Sequence, residues 1–395
     1  MSLSRQEAFR FVWLIGLVSL FSDMTYQGAH GNAGPYLAVL GAGGTVVGIV
    51  AGAGEFVNYT LRLLFGYWAD KSRAYWLIAI PGYALNLIAV PCLALAGHWP
   101  AAAALFILER TGKGIRTPAR DVMLSHAADA LSGQGLPAGR RGWAFGVHEA
   151  LDQAGGMLGP LLVATILFFN KGYKASFAVL AIPAAIALIL LIITYRLFPR
   201  TDDIQRKPVE LSREGLPRSF WILVAGVGCL AVGYTDFALM AFHFKKQALL
   251  PAAWIPVSYG LAMGLQGLAS LGFGRLYDRW GVKTLIIAAV PAMTFAPLAF
   301  LGGMGLALLG LALWTVGMGA QGSIMKALVA ELVPAERRGS AYGLLNSSYG
   351  VLWFAGSAAM GWLYDHSLHG LVIFSIVAQL ASLPFLLAIR RSKTT

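Results

Sequence analysis

Four ionisable residues recur at steps of four, three and four along one apolar stretch of this chain: Glu109, Lys113, Arg116 and Arg120. On a helix that spacing puts all four on one face, with Arg110 beside it. The next apolar stretch carries His148 and Asp152 four apart, and Glu149 and Gln153 likewise. At a rise of about 1.5 Å per residue, Arg116 stands about 12 Å from the end of its stretch and Glu149 about 10 Å from the start of the next. Lys113 and Asp152 match in the same way, at about 16 and 15 Å. Antiparallel neighbours would then meet as two rungs of ion pairs. Burying a charge in an apolar layer costs at least a few kcal/mol unless it is paired or faces water. A carboxylate beside a cation stays ionised; separated from it, the carboxylate takes up a proton more readily. Such a set either moves protons or is a salt-bridge ladder that ties two helices together.

Further candidates lie on other stretches. Asp23 falls about 18 Å into the first, near the middle of a roughly 30 Å hydrocarbon layer. It reads as a substrate contact, a proton carrier or the partner of a cation such as Arg62. Glu55 and Arg62, seven apart, share a helix face with Asn58 between them. The second half is less charged, with Asp236, Lys326 and Glu331 beside Gln266, Gln321 and Asn346. The two cysteines, Cys92 and Cys229, each inside an apolar run, exclude a disulfide framework or a cysteine-metal cluster. His243, His366 and His369 lack tight ligand spacing, so no metal site is expected. No phosphate-cradling Gly-x-x-x-x-Gly-Lys-Ser/Thr loop occurs, and no cofactor is expected.

The elements that must position these residues follow from composition. Of 395 residues 57% are hydrophobic and only 12% charged. A soluble protein of this size could not clothe its surface with so little charge, so lipid is the outer solvent. Twelve apolar runs are long enough to cross a bilayer, at 9–32, 44–69, 75–97, 99–124, 142–169, 174–196, 218–243, 254–277, 283–302, 305–331, 340–364 and 368–390. The first is too long for a cleaved signal and carries Asp23, so it reads as a true helix. Of 30 Lys and Arg, five fall within the membrane, four in loops on one side (Lys171, Lys174, Lys245, Lys246) and the other 21 on the opposite side. The positive-inside rule places both termini and the 197–217 connection in the cytoplasm. The net charge of +12 is thus a topology signal, with attraction to anionic lipid as a by-product, and no nucleic-acid partner is expected.

A short phrase is written twice. Gly66-Tyr-Trp-Ala-Asp70-Lys71-Ser-Arg73 follows one apolar run, and Gly274-Arg-Leu-Tyr-Asp278-Arg279-Trp-Gly281-Val-Lys283 follows another about half the chain later. Arg140-Arg141-Gly142-Trp-Ala144-Phe145-Gly146 is answered by Arg337-Arg338-Gly339-Ser-Ala341-Tyr342-Gly343, and Phe21-Ser-Asp23 by Tyr234-Thr-Asp236. Three pairs in one order predict a parallel repeat: a six-helix bundle over 1–196, a cytoplasmic linker over 197–217 and a second six-helix bundle over 218–395, around a central path.

With these phrases the chain resembles the major facilitator superfamily over nearly its whole length. The family's loop after its second helix reads Gly-x-x-x-Asp-Arg-x-Gly-Arg, matched here by Gly66, Asp70, Lys71 and Arg73, with Ser72 in the glycine slot, and by Gly274, Asp278, Arg279, Gly281 and Lys283. Arg110-Thr-Gly-Lys113-Gly114 resembles the family's helix 4 signature, with Lys for Gln. Gly146, Gly155, Gly159 and Pro160 fit the helix 5 motif that the family associates with exporters, although Val163-Ala164 replaces its closing Gly-Gly. The resemblance implies that Asp70 accepts from the start of helix 11 near Arg338, and that Arg73, Arg120 and Asp121 complete a cytoplasmic gate, with Asp278 as weaker counterpart. It also implies a coupling role for Arg110.

The expectation is an all-α integral membrane protein of twelve transmembrane helices in a bacterial or archaeal inner membrane. It would act as a monomeric, proton-driven (or Na+-driven) secondary transporter that exports a small organic solute by alternating access. Asp23, Glu109, Glu149 and Asp152 stay open as the proton carrier. One alternative keeps the fold and has Arg62, Arg110, Lys113 and Arg116 hold an organic anion for uptake or exchange, unpaired and facing a cavity. A membrane enzyme or receptor is the remote alternative: no convergent nucleophile is present, since Ser125 and His126 are merely adjacent.

Overall fold

The computed structural model describes residues 4–132, 139–199, 215–334 and 337–389. Their structure is helical, and no strand occurs among them. Most of the 197–217 connection and the side chains of Arg140, Arg141 and Lys326 lie outside the described residues.

The first helix begins where Ser4 and Glu7 cap one another: Ser4 Oγ accepts from the Glu7 amide at 3.3 Å and Glu7 Oε2 from the Ser4 amide at 2.8 Å. Twelve long helical rods follow in order among the described residues. They are α1 (Arg5–His30), α2 (Gly44–Ser72), α3 (Tyr75–Leu95), α4 (Trp99–Ser132), α5 (Gly139–Phe168), α6 (Gly172–Leu197), α7 (Arg218–Lys246), α8 (Trp254–Trp280), α9 (Lys283–Leu301), α10 (Met304–Leu332), α11 (Arg338–His366) and α12 (Leu368–Ala388). Eight are long and apolar enough to cross a membrane. The other four, α2, α4, α8 and α11, are 29, 34, 27 and 29 residues long.

Two boundaries differ from the sequence reading in a way that matters below. The fourth apolar run, expected to end at 124, continues as helix to Ser132, and α5 begins at Gly139 rather than 142. The Ala-rich segment after 124 is a good helix former and extends the rod beyond its apolar part.

The chain groups into two compact units, one of Met1–Asn32, Val57–Pro208 and Ala252–Gly260, the other of Ala33–Phe56, Val209–Pro251 and Leu261–Thr395. In the first, α1 lies against α5 along a seam where a Cβ on Gly155 would strike the Leu20 carbonyl and one on Gly159 the Met24 carbonyl. Only glycine permits that approach, and it brings the polar face of α1 onto α5. Gly82 of α3 meets the Arg116 backbone of α4 in the same way, which seats Arg116 deep in the unit. A cluster of Val12, Ile15, Trp76, Ile78, Met123, Leu124 and Leu191 fills the end nearest the α1 N-terminus.

In the second unit α7 is interrupted. Arg218–Gly233 and Phe237–Lys246 are helical, and Tyr234 to Asp236 are not. Every freed group named here is satisfied. Asp236 caps the second piece by accepting from the Ala238 amide at 2.8 Å. The Gly233 carbonyl takes Ser375 Oγ at 2.7 Å, and the Thr235 carbonyl takes Trp314 Nε1 at 2.9 Å. A broken helix at membrane depth survives where protein supplies such partners. Asp365, at the end of α11, accepts from the Gly44 amide at 2.9 Å and from the Thr45 amide and hydroxyl, both at 2.7 Å, holding the first turn of α2.

Candidate functional site

The buried charges of the first unit gather in a region built by α1, α3, α4 and α5. Its centre is Asp23, whose Oδ1 stands 3.6 Å from Arg116 Nη2. Both are buried, Arg116 at 1% exposure, and the guanidinium also lies 4.3 Å from the centroid of the Tyr83 ring. Toward the N-terminal end of α1, Arg120 donates to Asp121 Oδ1 at 2.8 Å and to Ser19 Oγ at 3.3 Å, and stands 3.8 Å from Asp152 Oδ2. His148 bridges the same groups, with Nε2 at 2.9 Å from Ser19 Oγ and Nδ1 at 3.6 Å from Asp152 Oδ2.

Toward the other end of α1 lies a second tier. Arg110 stands 3.5 Å from Glu109 and donates to His30 Nδ1 at 2.6 Å. Glu109 accepts from Asn86 at 2.8 Å. Lys113 donates to the Tyr26 hydroxyl and lies 3.8 Å from that ring's centroid. Gln27 joins this tier, donating to Tyr26 at 3.1 Å and accepting from the Tyr259 hydroxyl at 2.7 Å. Every ionisable group of this tier sits against a partner of opposite charge, a neutral hydrogen-bonding group or a π face.

The structure therefore unites Asp23, Glu109, Arg110, Lys113, Arg116, Arg120, Asp121 and Asp152, but not in the expected rungs. Arg116 meets Asp23 rather than Glu149, and Asp152 meets Arg120 rather than Lys113. The longer α4 explains the shift. Counted from Ser132 and Gly139, Arg120 and Asp152 stand at about 18 and 20 Å and so share a depth. Glu149 is exposed and accepts from its own helix neighbour Gln153 at 3.1 Å. Arg62, offered above as a partner for Asp23, lies instead 6.0 Å from the Tyr59 ring centroid on α2, where Glu55 is half-buried. Lys326 lies outside the described side chains. Asp236, the repeat mate of Asp23, is buried as the helix cap within α7.

The duplicated phrase sits on helix ends rather than in loops. Gly66 and Asp70 belong to the last turns of α2, and Gly274, Asp278 and Arg279 to those of α8, the latter two exposed. Each copy stops three residues after its aspartate, at Arg73 with φ 57° and at Gly281 with φ 59°. The glycine slot of the first copy is thus Arg73 and not Ser72. Arg73 adopts there the left-handed conformation that glycine takes without strain. Of the helix 5 motif, Gly155 and Gly159 form the seam with α1, Pro160 continues inside α5, and Gly146 is exposed.

Ser19, Tyr26 and His30 went unread in the sequence. With Asp23 they recur at steps of four, three and four along α1, the same signal that singled out α4.

Comparison with known proteins follows from this geometry. The family model described as Major Facilitator Superfamily matches residues 12–357, and again 241–393. An uncharacterized protein of Mycobacterium tuberculosis (strain H37Rv) is 40% identical over 390 residues, covering 97% of this chain and 93% of that one. An uncharacterized MFS-type transporter of Methanocaldococcus jannaschii is 26% identical over 377 residues, covering 92% and 90%. Among solved structures, the nucleoside transporter NupG superposes with a TM-score of 0.72 at 14% identity, covering 97% of this chain and all of that one. The xylose transporter XylE from E. coli gives 0.69 at 16% identity, covering 98% of each.

Proposed function

This chain belongs to the Major Facilitator Superfamily, and from that premise we propose that it exports a small organic solute in exchange for protons, by alternating access of its two repeats, across a bacterial or archaeal cytoplasmic membrane. Membership makes it a membrane-embedded transporter; the direction and the coupling ion are our reading. The observation that carries this reading is the buried set Asp23–Arg116 and Arg120–Asp152, two carboxylates each beside an arginine at 3.6 and 3.8 Å. A buried ion pair stabilises a fold poorly, and its retention is better explained by a task. Opening either pair leaves a carboxylate whose remedy is a proton. The glycine seam of α1 and α5, which carries the exporter-like motif, supports the outward direction.

The anion-binding alternative asked for arginines without partners. Arg110 stands against Glu109 and Arg116 against Asp23, which weighs toward coupling. The gate role of Asp70, Arg73 and Asp278 stays part of the proposal.

The test is internal pH in dye-loaded proteoliposomes offered tetraphenylphosphonium, xylose and 5-aminolevulinate as cation, sugar and carboxylate-bearing zwitterion. Proton movement opposite to solute flux is the expected result, and Asp23→Asn and Arg110→Ala each abolish it while the purified protein stays monodisperse. Wild-type flux in both variants would remove the proposed roles; protons moving with the solute would reverse the direction.

A further inference from the structure

Ser19 and His148 hold positions in the cluster to which the coupling scheme assigns no task. Both are buried, Ser19 fully and His148 at 5% exposure. Ser19 Oγ already accepts from Arg120, a side chain that only donates. A hydroxyl keeps a second lone pair and its own hydrogen, so its contact with His148 Nε2 at 2.9 Å runs in either direction according to the imidazole tautomer. In the tautomer with its hydrogen on Nδ1, the neutral imidazole presents that hydrogen toward Asp152 Oδ2, 3.6 Å away. On the other side, Asp23 lies four residues beyond Ser19 on the same face of α1, which places their Cβ atoms about 5–6 Å apart. The charged groups acting on the imidazole are Arg116, Arg120 and Asp121 from α4 and Asp152 from α5 itself, and Asp152 in turn feels Asp23 from α1 and Glu149 from α5.

The geometry points to Ser19 and His148 as a proton relay that joins Asp23 to Asp152, an assignment that rests on the proton-coupled reading above. The proton of a neutral Asp23 carboxyl passes to Ser19 Oγ as the Ser19 hydrogen passes to Nε2 and the Nδ1 hydrogen passes to Asp152 Oδ2. One O–H bond breaks at Asp23 and one forms at Asp152. The serine ends as it began, the imidazole ends neutral as its other tautomer, and no further reactant is required. The transfer exchanges which arginine has an ionised partner: Arg116 gains the carboxylate of Asp23, and Arg120 keeps Asp121 alone. A proton entering by one carboxylate thereby loosens one ion pair while it tightens the other, and the event spans α1, α4 and α5 at once.

The proteoliposome assay tests this with His148→Gln, which keeps a hydrogen-bonding side chain of similar reach but cannot pass a proton as a neutral imidazole does. Proton-linked flux of whichever of tetraphenylphosphonium, xylose or 5-aminolevulinate drives the wild type is expected to fall at least tenfold further than exchange of the same labelled solute without a pH gradient. Because His148→Gln adds a buried amide, Ser19→Ala provides a second break in the chain, and Ser19→Thr, which retains a hydroxyl, is expected to restore the flux. A solvent deuterium isotope effect on proton-linked flux in the wild type, absent from exchange, is the accompanying signature. Wild-type proton flux in both His148→Gln and Ser19→Ala overturns the relay and leaves the coupling reading standing. Absence of proton movement in the wild type with all three solutes overturns both.

Discussion

The two units of this protein treat buried polarity in opposite ways. The first gathers ionisable groups: Asp23, Glu109, Arg110, Arg116 and His148 are all buried, on α1, α4 and α5. The second gathers rings and neutral hydrogen bonds, with Tyr234 against Phe295 and Trp353, Phe237 against Trp314, and the α7 break closed by Ser375, Gln379 and Trp314. Its buried acid, Asp236, caps a helix. Charges change state with a proton, whereas aromatic and amide groups hold shape. The contrast leaves the groups able to change charge in the first unit and the shape-holding ones in the second.

The contrast can be broken by substitution, and the largest effect is expected on the glycine seam. Gly159→Leu forces a side chain into the Met24 backbone and separates α1 from α5, so no monodisperse folded protein should be recovered by size-exclusion chromatography. Next, Arg116→Ala leaves Asp23 buried without its near cation and should destabilise by about 3–5 kcal/mol, read as a fall in Tm in detergent. Adding Asp23→Asn to Arg116→Ala should recover much of that loss, because the uncompensated charge is what is unfavourable. In the second unit Trp314→Phe removes one hydrogen bond to the Thr235 carbonyl and should lower stability by only about 1 kcal/mol. If Trp314→Phe proves as severe as Arg116→Ala, the contrast between charged and neutral interiors fails. The smallest effect concerns the repeated phrase. Arg73→Gly relieves a left-handed backbone strain and should stabilise by roughly 0.5–1 kcal/mol, while Gly281→Arg should lose a similar amount.

Much of this was legible in the residues. Low charge and long apolar runs gave the membrane class, and the doubled Asp70 and Asp278 phrases gave the family. The face of Glu109, Lys113, Arg116 and Arg120 gave the place where charge collects. Partners were not legible, because they depend on depth. Two turns of polar, Ala-rich helix beyond residue 124 carry no hydropathy signal, yet they shift α4 against α5 and change every pairing. Ser19, Tyr26 and His30 escaped for another reason: hydroxyl groups barely lower the hydropathy of a run, His30 stands at the very end of its helix, and only their period betrays them. The interruption of α7 at Tyr234 to Asp236 was hidden likewise: Gly233 precedes it, but glycines also abound inside unbroken helices of this chain, and long-range donors stabilise the break.

The length and charge of α4 bear on how the chain enters the bilayer during synthesis. At 34 residues it is about 51 Å long, and it is not among the helices apolar enough to cross on their own account. Each arginine or acid near the bilayer centre disfavours insertion by about 2.5–3.5 kcal/mol when the helix stands alone. The groups that relieve this, Asp23, Tyr26, Tyr83 and Asn86, lie on α1 and α3, which the ribosome has already delivered. Asp152 emerges later, on α5. The order of the helices in the gene thus lets α4 leave the translocon into a place prepared for its charges, and Arg120, already beside Asp121 and Ser19, gains Asp152 when the next helix follows.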